Sequence, residues 1–284
     1  MVMQDVGEPR LLIGSGASPH TYSLKPSDAR ALQQADVVFW VGESLETFLE
    51  KPLRTLPKNA RVVQLAEAPG VTLLAYRDAG PWEAHAHGSA GPNVQTPYHN
   101  HEHSDGDAHA GADMHIWLDP ANARAIVMAA ATALTEADPD RAVLYRSNAE
   151  RAVARLLALD EELQQTLAPL AGRPYIVFHD AYQYLEHRYG MTAVGSITVH
   201  PERQPSAQRV AAIRKKVTDG AAVCVFAEPQ FEPKLVQTLI AGTKARVEVL
   251  DADGGVGVPA GPEAYPMIMR NLANALRACL DPST

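Results

Sequence analysis

Apolar and polar positions change period several times along the chain, and the changes divide it into elements. Strand-length runs stand at Leu11-Leu12-Ile13, at Val37-Val38-Phe39-Trp40-Val41 and at Arg61-Val62-Val63-Gln64-Leu65. Between them Pro26 opens a helix over Ser27 to Ala35, the proline suited to a first turn and Asp28 to its positive end, and a second helix covers Leu45 to Lys51. This alternation predicts βαβ units around a parallel sheet. From about residue 70 to 113 no period is visible, a length that in a compact domain marks a functional or disordered loop.

Helical spacing returns after Asp119-Pro120, first in the Ala-rich stretch from Ala121 to Glu136. The longest periodic segment follows, from about 139 to 168, with Tyr145, Ala149, Ala152, Leu156, Leu159, Leu163 and Leu167 on one face. At 1.5 Å per residue such a helix reaches ~45 Å, enough to bridge two domains. A second α/β half then begins. Its strands, Pro174 to Phe178, Met191 to Val199, Ala222 to Ala227 and Arg246 to Leu250, alternate with helices over 182–189, 206–218, 234–242 and 265–279. Three of its strand ends deliver polar groups, His179-Asp180, Glu228 and Asp251, and the loop after the first predicted strand delivers His20. Ligands of open α/β sheets bind at such ends.

Length and composition narrow the picture. The 284 residues suit two domains better than one core, and a 46% apolar fraction is ordinary for a globular chain. A net charge of −8 argues against nucleic acid as partner. No apolar run approaches a membrane span, and the start, Met1-Val2-Met3-Gln4-Asp5, has no basic segment leading into an apolar one, so no export signal is visible as the chain stands. Cys224 and Cys279 fit either two buried thiols or one disulfide, and their count does not choose.

Histidine changes the picture most. The aperiodic region holds His85, His87, His99, His101, His103 and His109 among Asp, Glu, Gly and Asn. Such a tract cannot pack a core, but it can gather neutral imidazoles around Zn(II), Ni(II) or Cu(II). It is internal and runs into Met114-His115-Ile116-Trp117-Leu118, which a purification tag would not do. Three further histidines far apart in sequence, His20, His115 and His179, converge if the two halves face each other, and three imidazoles plus a carboxylate or water suit tetrahedral zinc. The Gly14-Ser15-Gly16 turn does not complete a dinucleotide fingerprint, since Pro19 stands at its third glycine. No local zinc-protease, nucleophile-elbow or phosphate-loop pattern is present.

Taken in order, Ser18-Pro19-His20-Thr21-Tyr22 with Lys25-Pro26-Ser27, Ala35-Asp36-Val37 through Gly42, the His tract before Met114 to Pro120, Phe178-His179-Asp180-Ala181-Tyr182 and Ala227-Glu228-Pro229-Gln230-Phe231 resemble the zinc-binding, ZnuA-type periplasmic solute-binding proteins of ABC importers (cluster A-I). The resemblance covers nearly the whole chain. It implies an α/β fold of two lobes, each a parallel sheet flanked by helices, joined by one long rigid helix with metal in the cleft between them. The expected division is a first lobe over 1–138 with a His-rich loop at 83–113, a linking helix over 139–168 and a second lobe over 169–284.

The same resemblance implies His20, His115 and His179 as metal ligands, Asp251 as a fourth neighbour, Glu228 as a structural tie near the cleft, and a disulfide between Cys224 and Cys279. The manganese branch carries Glu where His179 stands and lacks a His-rich loop, so Zn(II) is the expected cargo rather than manganese or iron. Implied partners are a permease and its ATPase at the inner membrane and a periplasmic zinc chaperone, with the protein itself a monomer. The tract of His85, His87, His99, His101, His103 and His109 is expected to act as a low-affinity collector. The chain departs from the family in two places. Pro19 replaces an acid found before the first histidine in some members, and the export signal, first strand and first helix of the family have no counterpart before Leu11, so the first lobe is expected to lack a strand. From another class, a zinc hydrolase would need a base beside a metal-bound water, for which Asp180 or Glu228 are the candidates.

Overall fold

A computed structural model describes residues 1–14, 16–57, 59–77, 111–198, 201 and 204–283. The first lobe contains α1 (Pro26–Gln34), β1 (Val37–Trp40), α2 (Glu50–Thr55) and β2 (Arg61–Gln64), and β1 and β2 pair in parallel with Val38 opposite Val62. A two-residue hairpin that periodicity could not reveal, β3 (Leu74–Ala75) with β4 (Ala112–Asp113), closes the base of the 78–110 segment. The Leu11 to Ile13 run is not a strand: among the described residues β1 pairs with β2 alone, and Leu11 is 73% exposed. A strand needs a partner for its backbone groups, and this run has none within the sheet.

The second lobe is a four-stranded parallel sheet in the order β6 (Thr192–Thr198), β5 (Pro174–His179), β7 (Cys224–Ala227), β8 (Arg246–Val249). Helices α5 (Gln183–Tyr189), α6 (Ala207–Thr218) and α7 (Lys234–Ile240) connect successive strands, and α8 (Ala264–Leu280) follows the last. Apolar runs buried on both faces are what a parallel sheet requires, and β5 and β7 meet it, since all of β7 and all of β5 after Pro174 are buried. The chain leaves β5 for β6 on one side and returns to β7 on the other. The carboxyl ends of β5 and β7 therefore flank the point where strand order reverses.

Helix α3 (Pro120–Ala137) and the long helix α4 (Ala142–Leu167) join the halves. Helical turns of the tighter 3-10 kind at 139–141 and 168–170 extend α4 to the length its periodicity predicted. Its stripe of Leu156, Leu159, Leu163 and Leu167 lies in one core with Leu45, Ala66, Met114 and Ile116 of the first lobe and Leu272 and Leu276 of α8. Each such leucine, withdrawn from water, contributes about 1.5–3 kcal/mol, so one shared apolar core joins the lobes along α4. Asp160 on α4 adds a polar tie, accepting from Arg124, Arg188 and Tyr189. Cys224 at the start of β7 and Cys279 near the end of α8 form a disulfide, with Cα atoms 6.1 Å apart.

Candidate metal centre

His20 ends the irregular 16–19 segment, and its loop is fastened downstream where the Tyr22 hydroxyl donates to the Asp28 carboxylate at 2.8 Å. The same carboxylate accepts the Lys25 amide at 3.0 Å and so caps α1. His115 follows β4 and precedes a single 3-10 turn, Ile116–Leu118. His179 is the last residue of β5. Three separate elements thus end at one place.

There the His20 and His115 Nε2 atoms lie 3.2 Å apart, and those of His115 and His179 3.3 Å. Nitrogens at 2.0–2.1 Å from a tetrahedral Zn(II) are separated by about 3.3 Å, so both distances match an edge of that tetrahedron. Among the described residues these three histidines form the one group of metal-ligating side chains whose ligand atoms all fall within 4.8 Å of one another.

Carboxylates set the tautomers. The Asp113 Oδ1 accepts both the backbone N–H of His115 at 2.9 Å and its Nδ1–H at 2.7 Å. Glu228, just beyond β7, accepts the Nδ1–H of His179 at 2.7 and 2.6 Å and the Tyr182 hydroxyl at 3.2 Å. With Nδ1 protonated in both rings, each Nε2 lone pair points at the other across 3.3 Å, a repulsive arrangement that a cation converts into an attractive one. His115 and His179 are 5% and 2% exposed, and His20 is half-buried on the outer side. Burial would lower the His179 pKa, but the Glu228 charge and hydrogen bond outweigh it and hold the pKa above its ordinary value.

Asp251 is not among the converging atoms. Its Oδ1 accepts from Gln230 Nε2 at 2.6 Å and Gly254 N at 3.0 Å, and its Oδ2 from Val256 N at 3.1 Å, so both oxygens shape their own loop. That loop is held at the site from the other side: the Trp117 indole donates to the Ala252 carbonyl at 2.9 Å while its ring lies 5.3 Å from that of His115. It carries a second acid, Asp253, whose pKa burial pushes up to about 6 against the opposing pull of His179 and His115, with Glu228 and Asp251 adding to the rise.

Sequence reasoning missed Asp113, which bonds to the His115 ring, and Asp253, which stands in the loop that Trp117 ties to the site. Each stands two positions from a residue it singled out, His115 and Asp251, and that spacing was the available signal. Glu228, expected as a tie near the cleft or, in a hydrolase, as a base, bonds directly to the His179 ring. Asp180, a candidate general base, is held by Arg77. His85, His87, His99, His101, His103 and His109 lie outside the described residues.

Two α/β lobes about a long helix, with three imidazoles from separate elements converging between them, define a solute-binding protein built around a cation. The chain belongs to the ZnuA family: the family described as "Zinc-uptake complex component A periplasmic" matches residues 1–279. It is 47% identical over 291 residues to the high-affinity zinc uptake system protein ZnuA of Brucella abortus (strain 2308), covering 98% of this chain and 87% of that one. To the Yersinia pestis protein of the same name it is 37% identical over 275 residues, covering 95% and 83%. Among solved structures, a ZnuA crystal structure superposes with a TM-score of 0.74 at 26% identity, covering 97% of this chain and 92% of that one.

Proposed function

We propose that this chain captures Zn(II) in the periplasm through His20, His115 and His179 and delivers it to the permease and ATPase of an ABC importer. Membership of the zinc-uptake family supports the transport role and the compartment. One observation carries the site: the His115 Nε2 lies at zinc-tetrahedron spacing from the Nε2 atoms of both His20 and His179, and buried carboxylates set the tautomers of His115 and His179. Three imidazoles also favour Zn(II) over Mn(II), which prefers carboxylate and water.

For the fourth position we propose a carboxylate of the 251–254 loop. Asp251, the motif's choice, would have to give up its bonds to Gln230, Gly254 and Val256, whereas Asp253 follows Ala252, whose carbonyl takes the Trp117 indole N–H beside His115. Residues 1–138, 139–168 and 169–284 act as first lobe, linking helix and second lobe. The His85 to His109 tract is a low-affinity collector that feeds the cleft and exchanges zinc with a periplasmic chaperone. The protein works as a monomer and turns nothing over. Ester and phosphoester probes incubated with the zinc-loaded protein test that last point, and any turnover above free zinc overturns it. No helix among the described residues is long and apolar enough to cross a membrane.

A competitive zinc titration of the metal-free protein against His179→Ala, with ions counted by elemental analysis, tests the site. One tight ion in the parent that vanishes in the variant is the expected result. Equal tight binding by both places the metal elsewhere.

A further inference from the structure

The hairpin at the base of the 78–110 segment is bound to the opposite lobe. In β3 the Leu74 amide donates to the Tyr184 hydroxyl at 3.0 Å, and that hydroxyl donates to the Asp113 carbonyl in β4 at 2.5 Å. Gln183 Nε2 donates to the Ala75 carbonyl at 2.9 Å. Two residues past β3, Arg77 reaches the same surface. Its Nε and Nη2 fork onto the two oxygens of Asp180, Nε at 3.1 Å, and its Nη1 meets Glu186 Oε2 at 2.5 Å. The three side chains are 20%, 5% and 7% exposed.

Both ends of this attachment lead to metal ligands. Strand β4 runs straight into His115 and supplies Asp113, the acceptor of its Nδ1–H. Asp180 follows His179, in a turn closed by the Ala181 amide donating to the His179 carbonyl at 3.0 Å. A buried ion triad is a poor source of stability, because the desolvation of three charges offsets most of their attraction. What a planar guanidinium forked on a carboxylate does well is hold one geometry. Here the geometry held is the offset between the segments carrying His115 and His179.

We propose that Arg77 is a positioning residue for metal retention: by clasping the β3–β4 hairpin to Asp180 and Glu186 it keeps the His115 and His179 segments in register and sets how slowly the cation leaves. The proposal rests on the reading that these histidines hold Zn(II). It extends that reading to a residue that acts through Asp180 and Glu186 and stands, in sequence, at the threshold of the His-rich tract.

The test compares the full-length parent, Arg77→Lys, Arg77→Met/Glu186→Gln and, as a reference for the site, His179→Ala. Lysine keeps the charge but not the fork, and the double variant removes the fork together with one of its two acceptors, so the clasp is opened in two independent ways. Tight-ion stoichiometry is measured first, then zinc release into excess chelator, then melting of the metal-free proteins. Expected are one tight ion in the parent and both clasp variants and none in His179→Ala. Release should quicken about tenfold or more in the clasp variants, the range for losing an outer partner of a metal site, with the metal-free melting temperature of Arg77→Lys held within a few degrees. Release within twofold of the parent in the folded variants overturns the clasp alone. So does faster release seen only where the metal-free protein has lost stability in proportion. A parent without a tight ion, or His179→Ala that keeps it, overturns the site reading and the clasp with it, and stoichiometry reports this before any rate is measured.

Discussion

Glu228→Gln is the sharpest probe of how the centre holds its cation. The amide oxygen can still accept the His179 Nδ1–H, so ring orientation and tautomer survive while the negative charge is lost. In the parent that charge sits 2.6–2.7 Å from Nδ1, with both partners buried, and it holds the His179 pKa above its ordinary value. A more basic ring is also a better donor to zinc. Removing such an outer carboxylate weakens metal binding about 10–100-fold, equivalent to roughly 1.4–2.7 kcal/mol. Glu228→Gln should therefore bind one tight ion with an affinity lower by that factor at pH 8, measured by competition with a chelator of known strength. The pH response gives a second signature. Zinc needs the deprotonated ring, so parent affinity falls as pH drops through the raised His179 pKa, and the variant, with a lower pKa, loses affinity only at more acid pH. The gap between the two proteins narrows as pH falls. An affinity within twofold of the parent across pH 6 to 8 would refute the assignment of the Glu228 charge to the metal site.

Further tests are independent of this one. Glu186 is buried, and desolvation lifts its pKa from 4.5 to about 7 against the pull of Arg77; the folded state then holds the extra proton between those values. Its contribution to stability therefore falls as pH rises through that window, by about 3 kcal/mol at most, and denaturant unfolding of Glu186→Gln should show a flatter pH profile than the parent. Reducing the Cys224–Cys279 bridge, or replacing both cysteines by serine, should lower unfolding free energy by roughly 4 kcal/mol on the chain-entropy model for a separation of 55 residues, read as a lower denaturant midpoint. Asp253→Asn and Asp251→Asn separate the two acids. Asp253→Asn should weaken tight zinc binding with little change in melting, and Asp251→Asn should lower melting first, so the reverse pattern would restore Asp251 as the fourth ligand. Deleting residues 83–110 should abolish the weak zinc sites in a titration and leave the tight one, and loss of the tight ion would overturn the division of labour between tract and cleft.

Local patterns determined much of this protein. The leucine stripe of α4, the doubly buried runs of β5 and β7 and the αβ alternation were legible because burial imposes a period of 3.6 on a helix and leaves a strand covered on both faces without any polar alternation. The histidines at element ends were legible as candidates because their residue type and placement are local facts. The ordered motifs around them carried the family. What sequence could not determine depends on which backbone groups find partners and which side chains meet. The Leu11 to Ile13 run has strand composition, yet a strand exists only where a neighbour accepts its hydrogen bonds. The β3–β4 hairpin is two residues long on each side, too short for any period to show, and its pairing bridges a gap of 36 residues. Asp251 and Asp253 are the same residue type two positions apart, and only the bonds from Gln230, Gly254 and Val256 turn one toward its loop, while the Trp117 indole bond to Ala252 ties the stretch between them to the site. Asp113, Glu228 and Arg77 acquire their roles from partners across elements, at sequence separations from 2 to 109 residues. Residue type and spacing select the candidates; proximity in three dimensions, where charges and lone pairs act over a few ångströms, assigns them their work.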